Sequence, residues 1–399
     1  MGLYFMIFTR ILRNYLLKIG NSFYARIAKN FAQAEQFIST PGPLSIGNTV
    51  VADKICQGEF FIFGNTLQLE DKVIWEHSLK NIENYEDLHG FTWLDDLAAR
   101  GDNAAIEIAQ KWIFSWIEKY GSGSGAGWTP NLTGKRLIRL IHHEEIILHE
   151  LPEKKISTYF RFIYKQANFL SKRFYKTHEI NMNFEAIVGL IYCGLYVEGF
   201  DSFITVATEY LSRECRDKID EDGGILSRNP EELLEIFTCL VWVAHGLHDA
   251  NWTPSQAHID AINRIAPTLR HLRHTNGDLC RFNGSLGKYS GELDRYLFLS
   301  GNKKKTTKIL KMGYARLEGG RTSIIQDAGS LPNLFQSNLA HASVLGFELT
   351  HGRQPLIVNC GSGANFGLDW RKAGRATQSH STFCIKGQSS AILTRSLSY

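Results

Sequence analysis

The stretch LAHASVLGFELTHGRQPLIVNCG, residues 339–361, decides how this chain is read. From Val344 it alternates, with Leu345, Phe347 and Leu349 on one side and Gly346, Glu348 and Thr350 on the other. A tight turn at His351-Gly352-Arg353-Gln354 leads into the apolar run Leu356-Ile357-Val358. A period of two on either side of a glycine turn predicts a β-hairpin with one buried face. A histidine, His341, stands at its entrance.

Upstream the period is different. Ile106, Ala109, Ile113 and Trp116 form a helical stripe, as do Ile156, Phe160, Ile163, Ala167 and Leu170. Four more follow: Phe184 to Leu195, Phe203 to Leu211, Leu233 to Ala244, and Ile262 to Leu272. Short breakers such as DEDGG and SRNPEE separate them, so residues 90 to 300 read as helical hairpins. A bundle, a solenoid or a closed ring would each bury such stripes, and periodicity does not choose among them. The basic segment GNKKKTTKILK, 301–311, marks the switch to strands: YARLEGG, RTSIIQDAG, the hairpin and STFCIKG. Further upstream, GEFFIFGNTLQLE reads as two short strands around Gly64-Asn65.

At 399 residues the chain is long for one core, and two domains are the natural expectation. Its 44% hydrophobic and 21% charged residues are globular material, and a net charge of +4 is too small for a nucleic-acid-coating surface. Seven scattered cysteines with no CxxC pair read as buried free thiols. The N-terminal MGLYFMIFTRILRNYLLKIG is apolar but broken by Arg10, Arg13 and Lys18. It lacks the layout of a signal peptide and is too interrupted to span a bilayer, so it reads as a basic amphipathic surface helix, with contact to a membrane surface left open, and on sequence alone the localisation is cytoplasmic.

P-loop, zinc-protease, esterase and kinase motifs are absent. Three polar groups stand out instead. NMNFEA places Asn181, Asn183 and Glu185 at the head of a helix, where capping accounts for them. In SRNPEELLE, Asn229 is a cap, Pro230 fits the first helical position, and Arg228 can face a carboxylate. His341, Asn359, Arg375 and His380 form the third group, able to bind a metal or polarise an acidic sugar.

Six blocks of sequence resemble the heparinase II/III family of bacterial polysaccharide lyases in order and spacing. They are DLHGFTWLDDL, GWTPNLTGKRLIRLI, GLIYCGLYVEG, DGGILSRNPEELLE, HASVLGFELTHGRQPLIVNCGSG and WRKAGRATQSHSTFCIKGQ. The resemblance implies an N-terminal incomplete (α/α) toroid followed by an antiparallel β-sandwich, with a substrate cleft between them. Expected boundaries are 1–44 for a helical segment, 45–308 for the toroid and 309–399 for a partial sandwich. The implied activity is β-elimination on a uronic-acid-containing polysaccharide, with no nucleic-acid partner and no transmembrane segment. Carried over, the catalytic candidates are Asn181, Asn183, Arg228, Glu232, Arg375 and His380; Trp128, Asn229 and Arg371 are candidate substrate contacts. Some family members hold zinc through two histidines and an aspartate of the β domain, which here implies His341, His380 and Asn359.

The chain departs from the family pattern at named places. No histidine follows Asn181, Glu232 stands where the family has tyrosine, and Leu339, Ser343 and Asn359 replace a His and two Asp residues. Two rivals therefore accompany the lyase: a non-catalytic glycan-binding relative, and a toroid glycoside hydrolase drawing on Glu185, Glu231, Glu232 and Glu235. So few strands after residue 309 also lead us to expect a shortened β domain, with low solubility and little activity.

Overall fold

The computed structural model describes residues 2–28, 36–62, 64–70, 73–77, 86–125, 127–175, 183–287, 291–330, 340–386 and 388–391. The helices begin with α1 (Gly2–Ile27), α2 (Thr49–Cys56), α3 (Glu86–His89), α4 (Trp93–Arg100), α5 (Asn103–Tyr120), α6 (Pro130–His142) and α7 (Glu144–Leu148). They continue with α8 (Glu153–Arg173), α9 (Phe184–Tyr196), α10 (Phe203–Asp217), α11 (Pro230–Asp249), α12 (Gln256–His271), α13 (Glu292–Leu299) and α14 (Leu368–Gly374). Strands β1 (Glu59–Ile62) and β2 (Asn65–Gln68) form the small hairpin. An antiparallel five-stranded sheet follows in the order β3 (Leu310–Lys311), β4 (Tyr314–Gly319), β5 (Thr322–Asp327), β6 (Phe347–His351) and β7 (Gln354–Ile357). Helices first, an antiparallel sheet last: this is the mixed α and β class that the change of period predicts.

The chain forms two compact units, one of residues 1–60, 67–211 and 242–254, the other of 61–66, 212–241 and 255–399. In the first, α9 is buried on every side rather than along one stripe. Glycines make this possible: a Cβ on Gly189 would lie 2.5 Å from Gly134 Cα, so α6 and α9 touch backbone to backbone. Asp95 on α4 accepts from Arg139 Nε and contacts His143 Nε2, each at 2.8 Å. Burial alone would raise its carboxyl, but Arg139 and His143 outweigh that and hold it at about 2, below the usual 3.8.

A carboxyl depressed on folding contributes stability above its unfolded value and loses it as the pH falls toward the folded one. We therefore expect the wild-type chain to lose about 2 kcal/mol between about pH 4 and pH 2 that Asp95→Asn does not lose. Urea unfolding of both proteins across that window measures this; parallel pH profiles would dissociate Asp95 from acid sensitivity.

The second unit holds the sheet. Register pairs Arg316 with Ile325, and Ile325 with Glu348. Ser323, Ile325, Asp327, Glu348 and Thr350 thus share the face that is buried. The opposite face carries the row Leu317, Ile324, Leu349 and Ile357, with Leu317 52% exposed. The hairpin does have one buried face, but it is the polar one. Alternation is also shorter than expected, because Leu345 (φ 61°) and Gly346 belong to a turn ahead of Phe347. The described part of STFCIKG, residues 381–386, is not a strand; Ile385 makes one isolated bridge, to Gln388. Among the cysteines, Cys193, Cys215, Cys239 and Cys280 are buried as expected, while Cys360 and Cys384 are exposed; all seven are free.

Candidate functional site

Within the second unit, the end of β7, the 340–343 segment and the turn after α14 bring His341, Asn359 and His380 together. The two imidazole centroids are 5.0 Å apart, with planes inclined by 34°. Asn359 Oδ1 faces His380 Nδ1 at 3.3 Å and accepts the Ser381 amide at 3.2 Å. The Ser381 N–H fixes which amide atom is oxygen, so His380 Nδ1 is the donor and its Nε2 keeps the lone pair. Both nitrogens of His341, His380 Nε2 and Asn359 Nδ2 are buried without a hydrogen bond of ordinary geometry. Burial first, then the neighbouring His380, Arg375 and Arg371, lowers His341 to about 3; burial lowers His380 to about 4, the Gly374 backbone partly opposing it. Both rings are neutral near pH 7. A buried polar atom without a partner is costly, and a cluster of them is a place built for a ligand.

A second layer holds this cluster. Glu348 on β6 is 1% exposed. Its Oε1 accepts the Asn359 amide at 3.0 Å and the Arg281 amide at 3.2 Å, and its Oε2 lies 2.7 Å from His274 Nε2. His274 Nδ1 in turn meets Thr350 Oγ1 at 3.1 Å. The polar face of β6 is therefore the platform under Asn359. Asn283 supplies a second tether: its Oδ1 accepts the His341 amide at 3.2 Å, and its Nδ2 donates to Tyr314 Oη at 2.7 Å. Tyr314 passes that on, donating to the Arg228 carbonyl at 2.6 Å.

Arg228 is turned inward. Its Nε donates to Met312 O at 3.1 Å, Nη1 to Ser330 O at 2.7 Å, and Nη2 to Gly313 O at 3.1 Å and to the Asp327 carboxylate. The guanidinium also covers the Tyr314 ring at 4.7 Å. A Cβ at Gly313 or Gly329 would collide with it at 2.6 or 2.7 Å, so both positions require glycine. Next along the chain, Asn229 Oδ1 accepts the Glu231 amide at 3.0 Å and caps α11, as read from sequence. Glu231 accepts the amides of Leu286 and Gly287, and Glu232 accepts from Ser227 Oγ.

The remaining candidates lie as follows. Arg375 donates from Nε to Ala340 O at 2.8 Å and accepts the Ala342 amide at 2.9 Å, so it brackets His341. Arg371 is half-buried on α14 and adds positive charge near His341. Asn183 precedes α9 in the first unit, with a buried Oδ1 that has no hydrogen-bond partner. Glu185 pairs with Lys135 at 3.4 Å. Trp128 is a core residue of the first unit: its Nε1 donates to Tyr120 O at 2.8 Å, and its ring packs edge-on against Phe169. Asn181 lies outside the described residues.

The donor set as a whole does not suit zinc. Two neutral imidazoles suit it, but the free atom of Asn359 is an N–H donor and its oxygen is spent. Both Glu348 oxygens are committed as well. Among the described residues no group of three or more His, Cys, Asp or Glu is placed to hold a metal. The site fits a ligand bearing both donors and acceptors better than it fits a tightly held cation. Sequence reasoning missed Glu348, His274, Asn283 and Tyr314; the only local trace was a glutamate amid the alternating apolar residues of β6.

Comparisons with known proteins agree with this architecture. Residues 302–398 match the family model described as Heparinase II/III-like, C-terminal. FtsZ-localized protein C of Caulobacter vibrioides is 24% identical over 275 residues, 69% of this chain and 47% of that protein. The chain thus spans about half the length of that curated relative. Among solved structures, heparinase III is similar with a TM-score of 0.70 at 16% identity, over 95% of this chain and 68% of that one. A mutant of the heparan sulfate lyase HepC from Pedobacter heparinus gives 0.53 at 14% identity, over 94% and 66%. At such identities the likeness speaks for the fold.

Proposed function

We propose that this chain, which resembles the heparinase II/III family in its C-terminal domain and its fold, engages a uronic-acid-containing polysaccharide and acts on it as a β-eliminating lyase. The observation that carries this reading is the buried cluster of unpartnered nitrogens on His341, His380 and Asn359. A uronate presents what these atoms lack: carboxylate and hydroxyl oxygens for the Asn359 N–H, and a C5 proton for a lone pair. In the elimination, His380 Nε2 takes that proton, the C4–C5 double bond forms and the C4–O4 bond breaks. The leaving O4 takes a proton from water, and His380 returns the C5 proton to solvent. Asn359 Nδ2 donates to the charge developing on the carboxylate.

The test is ultraviolet absorbance of the unsaturated uronate on incubation with heparan, chondroitin and alginate-type polymers. His380→Ala should lower that rate by about a hundredfold or more. The wild-type rate should fall as the pH drops through about 4, where His380 gains a proton. A second reading, glycan binding without turnover, is favoured by Glu232 standing where the family pattern has tyrosine and by the committed guanidinium of Arg228. Retention on immobilised polysaccharide with no new absorbance would select it. The absence of both retention and absorbance would overturn both readings.

A further inference from the structure

Helix α1 turns a long apolar stripe to solvent. Leu12, Tyr15, Leu16, Ile19, Phe23 and Ile27 are each between 46% and 61% exposed. At about 100° per residue they share an arc roughly 120° wide, flanked by Arg13 and Lys18, with Arg26 inside it at the last turn. The opposite side is already committed within the first unit: Asn21 and Ala25 are buried, Arg173 Nε donates to Asn21 Oδ1 at 2.9 Å, and its guanidinium covers Tyr24 at 5.4 Å. The open stripe is therefore surplus to packing, and contiguous apolar surface of this kind marks an interaction site.

Charge identifies the partner. From Gly2 to Ile27 the helix contains Arg10, Arg13, Lys18 and Arg26 and no Asp or Glu. Arg13, Lys18 and Arg26 are exposed. A second copy of α1 would set these cations against their own kind, whereas an anionic lipid surface matches both the stripe and the charge. No described helix is long and apolar enough to cross a membrane, so α1 would lie along one. We propose that α1 is an interfacial helix that seats its Leu12–Phe23 stripe in an anionic bilayer surface, with the flanking Arg13 and Lys18 at the headgroups and Arg26 reaching them from the last turn by the length of its side chain.

The experiment is co-sedimentation of the full chain with vesicles of phosphatidylglycerol and phosphatidylcholine, or of phosphatidylcholine alone. The wild type should partition onto the anionic vesicles, and about tenfold less onto the neutral ones. Leu16→Glu with Phe23→Glu, and separately Arg13→Glu with Lys18→Glu, should each cut anionic binding about tenfold, with circular dichroism confirming an intact fold. Phe23→Trp keeps the stripe apolar and should give a blue-shifted emission that brominated lipid quenches. No partition of the wild type, or undiminished partition of the folded Leu16→Glu/Phe23→Glu protein, would overturn the proposal. So would a dimer, seen by sedimentation velocity, that those substitutions dissociate in the absence of lipid binding.

Discussion

Arg228→Ala is expected to destabilise the fold by about 3–5 kcal/mol, because removing one partner strands the other as a buried, uncompensated charge. Asp327 would keep only the Ser343 hydroxyl and the Gly329 amide, and the carbonyls of Met312, Gly313 and Ser330 would lose their donor. Burial already raises the Asp327 carboxyl, with Arg228 the chief opposing influence, so without the guanidinium it should protonate well above its usual range. Arg228→Lys should recover only part of the loss, since one ammonium cannot replace a planar fork reaching four acceptors. Urea denaturation of the three proteins measures this. Stability within about 0.5 kcal/mol of wild type, together with lost glycan affinity, would make Arg228 a binder of the substrate's carboxylate rather than of Asp327.

Glu348→Ala is expected to cost a similar amount, again about 3–5 kcal/mol, since it leaves His274 and the amides of Asn359 and Arg281 without their acceptor. The consequence reaches the candidate site, because the Asn359 amide hangs from Glu348 while its side chain holds His380. Glu348→Gln keeps an acceptor and most of the volume, so it should retain much of the stability. It also removes a negative charge that favours protonated His380, and should therefore move the His380 titration downward. Proton NMR of the histidine rings reads that shift, which a purely space-filling role for Glu348 would not produce. An unchanged titration in a folded Glu348→Gln protein would separate the platform from the site.

The legible parts of this chain were those that local periodicity records. Stripes of three and four residues located the helices, the turn at Gly352 located the hairpin, and Asn229-Pro230 announced the start of α11. The His341, Asn359 and His380 blocks were visible too, as residues that a resemblance linked across 40 positions of sequence. Helix α9 was misread as one-sided because its small residues, Gly189 above all, carry no hydrophobic signal while permitting contact on every side. Trp128, which the resemblance offers as a substrate contact, packs into the core of the first unit.

Composition and period are enough to place cations and no acid on α1, helices ahead of an antiparallel sheet, and a hairpin about the turn at Gly352. Alternation states which side chains share a face; it is silent on which face is covered. That Glu348 and Thr350 point inward and Leu317 and Leu356 outward depends on long-range contacts, because His274, the Arg281 amide and the Asn359 amide arrive from distant parts of the chain to satisfy the buried carboxylate. The same holds for Arg228: that it faces a carboxylate is readable, but that the carboxylate is the chain's own Asp327, with the carbonyls of Met312, Gly313 and Ser330 around it, is not. A guanidinium has a fixed number of donors, and where they go is settled by partners far along the chain.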